Sequence, residues 1–182
     1  QGDAALDLDE VAADVGDLRR KKSENAHLKA ATVILEPGRF LTANAGLYVM
    51  AVRAVKESRG ERFIVTDGGM HHHLAASGNL GQVIKRDYPI VAATKMNDNE
   101  RIQAHVVGPL CTPLDTLGRQ TALPAVAPGD LIAVMQSGAY GYSASPLNFL
   151  SHPAPRELII DKGEHRRVCP PERCAPCSAA KY

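Results

Sequence analysis

The chain has 182 residues, ordinary apolar content, and Lys+Arg 21 against Asp+Glu 20. That length suits one domain and part of a second, and the charge balance argues against nucleic acid or an anionic membrane as the main partner. No apolar run reaches the roughly 20 residues of a membrane helix, and Gln1-Gly2-Asp3-Ala4-Ala5 has neither the basic nor the apolar region of a signal peptide. It also lacks an initiator methionine, so a fragment or processed product of a soluble, cytoplasmic protein is expected.

Residues 7–19 carry Leu8, Val11, Ala12, Val15 and Leu18 at helical spacing. Asp7 and Glu10 suit the N-terminal end of that helix, and residues 19–22 suit its negative C-terminal end. The run Ala31-Thr32-Val33-Ile34-Leu35 then reads as a buried strand. One helix–strand unit predicts the last piece of a larger α/β domain. After Arg39 the pattern changes. Residues 47–56 and 62–66, joined by Ser58-Arg59-Gly60-Glu61, predict a hairpin; residues 88–94 and 101–107, joined at 96–99, predict a second. Further strands are expected at 130–136 and 157–161. Pro/Gly punctuation between them predicts an antiparallel barrel or sandwich over 46–161, after a remnant at 1–45. The chain is thus read as mainly β. Residues 162–182 have no periodicity and read as a disordered tail.

Several short stretches could carry chemistry, and each has a plainer alternative. Glu36-Pro37-Gly38-Arg39 follows an apolar run; its glycine lets backbone approach a ligand, and its arginine offers a forked donor to phosphate or carboxylate. It could equally be an ordinary turn. Asp67-Gly68-Gly69-Met70-His71-His72-His73 invites a metal reading, but only His71 and His73 share a face of an extended segment and no acid or cysteine stands nearby. Pocket-lining or structural roles fit those histidines better than metal. Cys111 lies between Pro109 and Pro113, with Asp115 four residues on; it is either a structural thiol or a proton donor. Tyr140, after Ser137-Gly138-Ala139, could bond a phosphate or sit in the core. His165, Cys169, Cys174 and Cys177 have spacings a zinc site could use, yet Pro170, Pro171 and Pro176 favour a solvated tail.

Order and spacing add what no single motif supplies. Glu-Pro-Gly-Arg at 36–39, Asp-Gly-Gly-Met at 67–70, Val-Gly-Pro-Leu-Cys at 107–111 with Asp115, Leu-Pro at 123–124, Pro-Gly-Asp at 128–130, and Gly-Ala-Tyr at 138–140 followed by Asn148 form one set. Together they resemble the C-terminal half of the fold-type III pyridoxal-phosphate decarboxylases, the diaminopimelate, ornithine and arginine decarboxylase group. The stretch 71–82 is most similar to exosortase-associated decarboxylases and to the butirosin-type enzyme acting on glutamate carried by an acyl carrier protein. The resemblance implies an N-terminal (β/α)8 barrel, of which residues 7–35 are the last unit, and a C-terminal antiparallel Greek-key-like β-barrel after Gly46. It implies that Glu36, Gly38, Arg39 and Tyr140 hold pyridoxal 5'-phosphate, with Arg39 also meeting a substrate carboxylate. Cys111 would enter the partner's site in a homodimer and protonate the carbanion left by carbon dioxide. Thr112, Asp115 and His73 would face substrate. The cofactor supplies the electron sink and the protein supplies orientation and the proton.

Two departures from that family bear on substrate. Members acting on basic amino acids carry Asp or Glu directly after the cysteine, where this chain has Thr112. A hydroxyl cannot neutralise an ammonium group, which favours a neutral, acidic or carrier-tethered substrate. The Arg-Pro and Tyr that diaminopimelate enzymes carry after Asp-Gly-Gly-Met are replaced by the histidine run. None of Lys21, Lys22, Lys29, Lys56, Lys85, Lys95 or Lys162 stands in the family's Schiff-base motif, so this polypeptide alone is expected to be inactive. Diaminopimelate decarboxylation and a non-catalytic β-barrel interaction module are the alternatives.

Overall fold

The computed structural model describes residues 6–82 and 85–168. The chain divides into two compact units, Gln1–Pro37 and Gly38–Tyr182. The second begins ahead of the composition break at 46, because it includes the short helical segment that leads into the sheet.

In the first unit, α1 (Leu8–Glu24) extends five residues beyond the periodic stretch. Asp7 caps it: the carboxylate accepts from the backbone N–H groups of Asp9 (2.9 Å) and Glu10 (3.1 Å), and Lys21 and Lys22 occupy the last turn. No residue of α1 is buried. Residues 31–35 form no strand; Ile34 and Leu35 are 73% and 62% exposed. A buried strand needs neighbours on both sides, and among the described residues none pairs with this one.

In the second unit, β1 (Tyr48–Ser58) and β2 (Glu61–Thr66) make the expected hairpin. Arg59 and Gly60 both have positive φ, 54° and 81°, the backbone that matches the twist of flanking strands. The second expected hairpin does not form. Instead β3 (Ile90–Ala92) pairs antiparallel with β6 (Leu131–Val134), and β4 (Ile102–Val107) runs parallel to β2 and antiparallel to β5 (Thr116–Leu123). The sheet order is β3-β6-β1-β2-β4-β5, and Ile90 of β3 packs against Gly118 of β5, so the ends nearly meet. The barrel is therefore mixed rather than wholly antiparallel. The long 67–101 segment supplies the crossover that a parallel β2–β4 pair requires.

Alternating residues point inward along these strands and form one core: Met50 and Val52 of β1, Ile64 of β2, Ala104 and Val106 of β4, Leu117 and Leu123 of β5, Ile132 and Val134 of β6. A separate two-stranded sheet, β7 (Glu157–Asp161) and β8 (Glu164–Val168), follows. It corrects the expectation of a structureless segment from 162: Lys162 and Gly163, at φ 49° and 85°, form a second two-residue hairpin turn. Among the described residues, no helix is long and apolar enough to cross a membrane.

Candidate active site

Cys111 stands exposed on the loop between β4 and β5. The base of that loop is closed by the Gly108 N–H, which donates to the Asp115 carbonyl at 3.0 Å, and the Asp115 N–H donates to the Thr112 carbonyl at 3.2 Å. Asp115 itself is only 2% exposed. Its carboxylate accepts from the Leu110 N–H (2.9 Å) and, across the sheet end, from the Met70 N–H (2.6 Å). A side chain at either Gly69 or Gly108 would overlap that carboxylate. Burial pushes the Asp115 carboxyl above its ordinary range, opposed by the two backbone donors. Both oxygens are thus engaged by backbone donors inside the domain, one on the loop and one after β2. Thr112 is half-buried, and its hydroxyl accepts from the Leu114 N–H at 3.3 Å.

Arg39 and Tyr140 form a second grouping. Gly38, at φ 51°, turns the chain into α2 (Arg39–Thr42). The backbone that follows crosses the segment after β6, where Gly138 N–H donates to the Ala43 carbonyl (3.0 Å) and Ser137 N–H to the Gly46 carbonyl (2.9 Å). Gly46 and Gly138 face each other there, and a Cβ on either would overlap the opposing backbone. This crossing places the Arg39 guanidinium 5.6 Å from the Tyr140 ring centroid. Tyr140 sits in the left-handed region at φ 57° and remains 48% exposed. A free phenol beside an exposed guanidinium is a donor set that suits a phosphate. Glu36 belongs to the first unit.

The segment 67–82 touches both groupings. On the loop side, Asn79 Nδ2 donates to the Leu114 carbonyl (3.1 Å); on the other, Arg39 donates to the Gly81 carbonyl (3.4 Å). Ser145 Oγ accepts from the Leu74 N–H (2.9 Å) and donates to the Gly141 carbonyl (2.6 Å), one residue from Tyr140. His71 and His73 are 0% and 1% exposed, and burial lowers each to a pKa of about 4, so both rings are neutral. The His73 ring meets Tyr48 and Tyr88 edge-on. His72, lowered mainly by burial, must carry its proton on Nε2 to donate to the Pro153 carbonyl (2.9 Å). Its Nδ1 then accepts from Tyr48 O–H at 3.1 Å. Burial raises the Tyr48 hydroxyl far above its ordinary pKa, which keeps it a donor.

Of the residues singled out by sequence, the structure brings Arg39 and Tyr140 together and sets Cys111 and Thr112 on one loop. Among the described residues no hydrogen bond or ring contact joins the two pairs. Asn79 and Ser145, which tie these turns to the 67–82 segment, lie outside the sequence expectation; the Ser77-Gly78-Asn79 turn was the available signal for the first. Among the described residues no cluster of three His, Cys, Asp or Glu side chains is placed to hold a metal. Cys169, Cys174 and Cys177 lie outside the described residues.

The chain is 40% identical over 167 residues to the L-glutamyl-[BtrI acyl-carrier protein] decarboxylase of Niallia circulans, covering 90% of this chain and 39% of that protein. It is 29% identical over 162 residues to the diaminopimelate decarboxylase of Aquifex aeolicus, covering 89% of this chain and 36% of the relative. The crystal structure of diaminopimelate decarboxylase from M. jannaschii in co-complex with L-lysine superposes with a TM-score of 0.76 at 26% identity, over 92% of this chain and 36% of that one. The chain thus spans less than half the length of these relatives. Residues 10–138 match the family described as pyridoxal-dependent decarboxylase, C-terminal sheet domain, and the chain belongs to that family of ornithine, diaminopimelate and arginine decarboxylases.

Proposed function

We propose that this chain is the C-terminal portion of a pyridoxal-phosphate-dependent amino-acid decarboxylase that works as a homodimer with shared sites. The observation that carries this reading is the Arg39–Tyr140 pair, a guanidinium 5.6 Å from an exposed phenol ring and held there by a glycine crossing. Those groups and the backbone at Gly38 would hold the cofactor phosphate. The cofactor, when bound, supplies the electron sink for loss of the α-carboxylate. Cys111 delivers a proton to the substrate α-carbon from the partner's side of the site, which fits a thiol exposed on the β4–β5 loop. Thr112, a neutral hydroxyl beside the thiol, and the 40% identical relative named for a carrier-linked glutamate favour a carrier-tethered acidic substrate over a free basic amino acid. The chain alone is inactive on this reading, since no lysine in it stands in the Schiff-base motif.

The test uses the complete reading frame that encodes this chain. Cofactor uptake is followed by absorbance, and carbon dioxide release is assayed from carrier-linked glutamate, diaminopimelate and ornithine. We expect release from the carrier-linked substrate. In Cys111→Ala, release should fall by roughly 10²–10⁴-fold while cofactor uptake persists. A dimer that never takes up cofactor overturns the reading and leaves a non-catalytic interaction module.

A further inference from the structure

We propose that Asp115 is the positioning residue of the Cys111 loop: its buried carboxylate ties the loop to the Gly69–Met70 backbone and so fixes where the thiol is presented. This rests on the reading of Cys111 as the proton donor. The β4–β5 connection does not need the carboxylate in order to close. Gly108 N–H to the Asp115 carbonyl and Asp115 N–H to the Thr112 carbonyl, at 3.0 and 3.2 Å, already do that through backbone alone. What the carboxylate adds is a bond to a different part of the chain, Met70 N–H at 2.6 Å, while its other oxygen takes Leu110 N–H at 2.9 Å next to Cys111.

The surroundings are shaped for this group. Glycines at 69 and 108 leave the only room the carboxylate has, since a Cβ at either would overlap it. Just beneath, Thr66 Oγ1 lies 2.8 Å from the Gly68 carbonyl and 3.0 Å from the Val107 carbonyl, joining the ends of β2 and β4 below the same two turns. Burying a carboxylate is costly unless its oxygens are satisfied, and here two convergent N–H groups satisfy them. An apolar residue would fill the space but leave both N–H groups unpaired. An amide can accept from one of them while its own NH2 faces the other. The segment bound this way is the one that also contacts Arg39 through Gly81 and approaches Tyr140 through Ser145, so Asp115 sets the thiol against the frame that holds the phosphate-binding pair.

Two variants approach the tie from opposite sides: Asp115→Asn leaves one N–H unpaired, and Gly108→Ala pushes the carboxylate away. Thr116→Val is the control, removing only a bond to the Pro113 carbonyl at 3.1 Å inside the loop. The readouts, made on the full-length protein, are amide hydrogen exchange and the rate of Cys111 alkylation by iodoacetamide across pH. An unpaired buried N–H corresponds to roughly tenfold to a hundredfold faster local opening. We expect that acceleration at residues 69–70 and 108–112 in both variants, with a changed alkylation rate, while exchange in residues 48–66 and 131–134 is unaltered. Turnover should lose kcat with cofactor affinity retained. Uniform acceleration across the strands, or unchanged exchange and alkylation at the loop, overturns the proposal. Neither readout needs turnover, so an inactive wild-type protein would count against the decarboxylase reading alone.

Discussion

In the six-stranded sheet Ile64, Leu117, Ile132 and Val134 are wholly buried, whereas no residue of α1 or of the β7–β8 hairpin is buried at all. α1, like the strands of the sheet, has apolar residues at the spacing its secondary structure demands. The two regions differ in what stands opposite. Each sheet strand finds inward-facing partners from strands distant in sequence, so its apolar side chains close a common core. α1 is held by its Asp7 cap and terminal charges, and the hairpin by a Lys162-Gly163 turn, and those devices act locally. The lesson is that periodicity specifies an element, while burial is decided by non-local pairing. The candidate site draws on the buried region: each of its turns leaves or enters a core strand, or is bonded to the segment between β2 and β3.

The contrast is broken most severely from within the sheet. Leu117→Ala removes a side chain that is 0% exposed and should cost about 2–5 kcal/mol in urea unfolding. A loss below about 1 kcal/mol would mean that this region can collapse around the vacancy as freely as the exposed ends.

A smaller effect should come from the buried histidines, and its sign follows from their shifts. His71 and His73 titrate near 4 in the fold and near 6.5 when unfolded, because burial penalises the charged ring. Between those values the unfolded chain binds more protons, so stability rises with pH from about 4 to about 6.5. It is lost as pH falls through the same window. His73→Phe, which keeps the ring contacts with Tyr48 and Tyr88, should flatten part of that dependence. The check is the urea midpoint measured at pH 4.5, 5.5 and 7; an unchanged slope in the variant would show that His73 is not held neutral by its burial.

The same contrast explains what could be read from sequence. Ser58-Arg59-Gly60-Glu61 announced β1–β2, because a two-residue turn with a glycine is a local signal. Asp161-Lys162-Gly163-Glu164 carries the same signal for β7–β8, but the charged His165-Arg166-Arg167 strand that follows lacks apolar alternation and so resembles a tail in sequence. β3 and β4, adjacent in sequence, resembled a hairpin; their partners β6 and β2 are chosen by core packing that no local pattern announces. β5 was missed because Gly118 and the left-handed Gln120 interrupt its alternation, the glycine being needed where Ile90 packs. At the site, Cys111, Arg39 and Tyr140 were legible as chemistry-bearing residues in turns. The placing of Asp115 and His73 inside the domain was not, because a carboxylate or an imidazole in a sequence does not show whether backbone donors or aromatic rings will enclose it.

The mildest perturbation sharpens the comparison from the exposed side. Ile160 is 73% exposed in β7 and lies opposite His165 in the β7–β8 pair. Within this chain Ile160→Ser removes no core contact, and the strand keeps its backbone pairing and its turn. The remaining cost is the lower strand preference of serine, within about 1 kcal/mol. The urea midpoint of Ile160→Ser should therefore move far less than that of Leu117→Ala. A loss as large as the core variant's would require that Ile160 be covered in solution, because an exposed isoleucine has no buried area to forfeit.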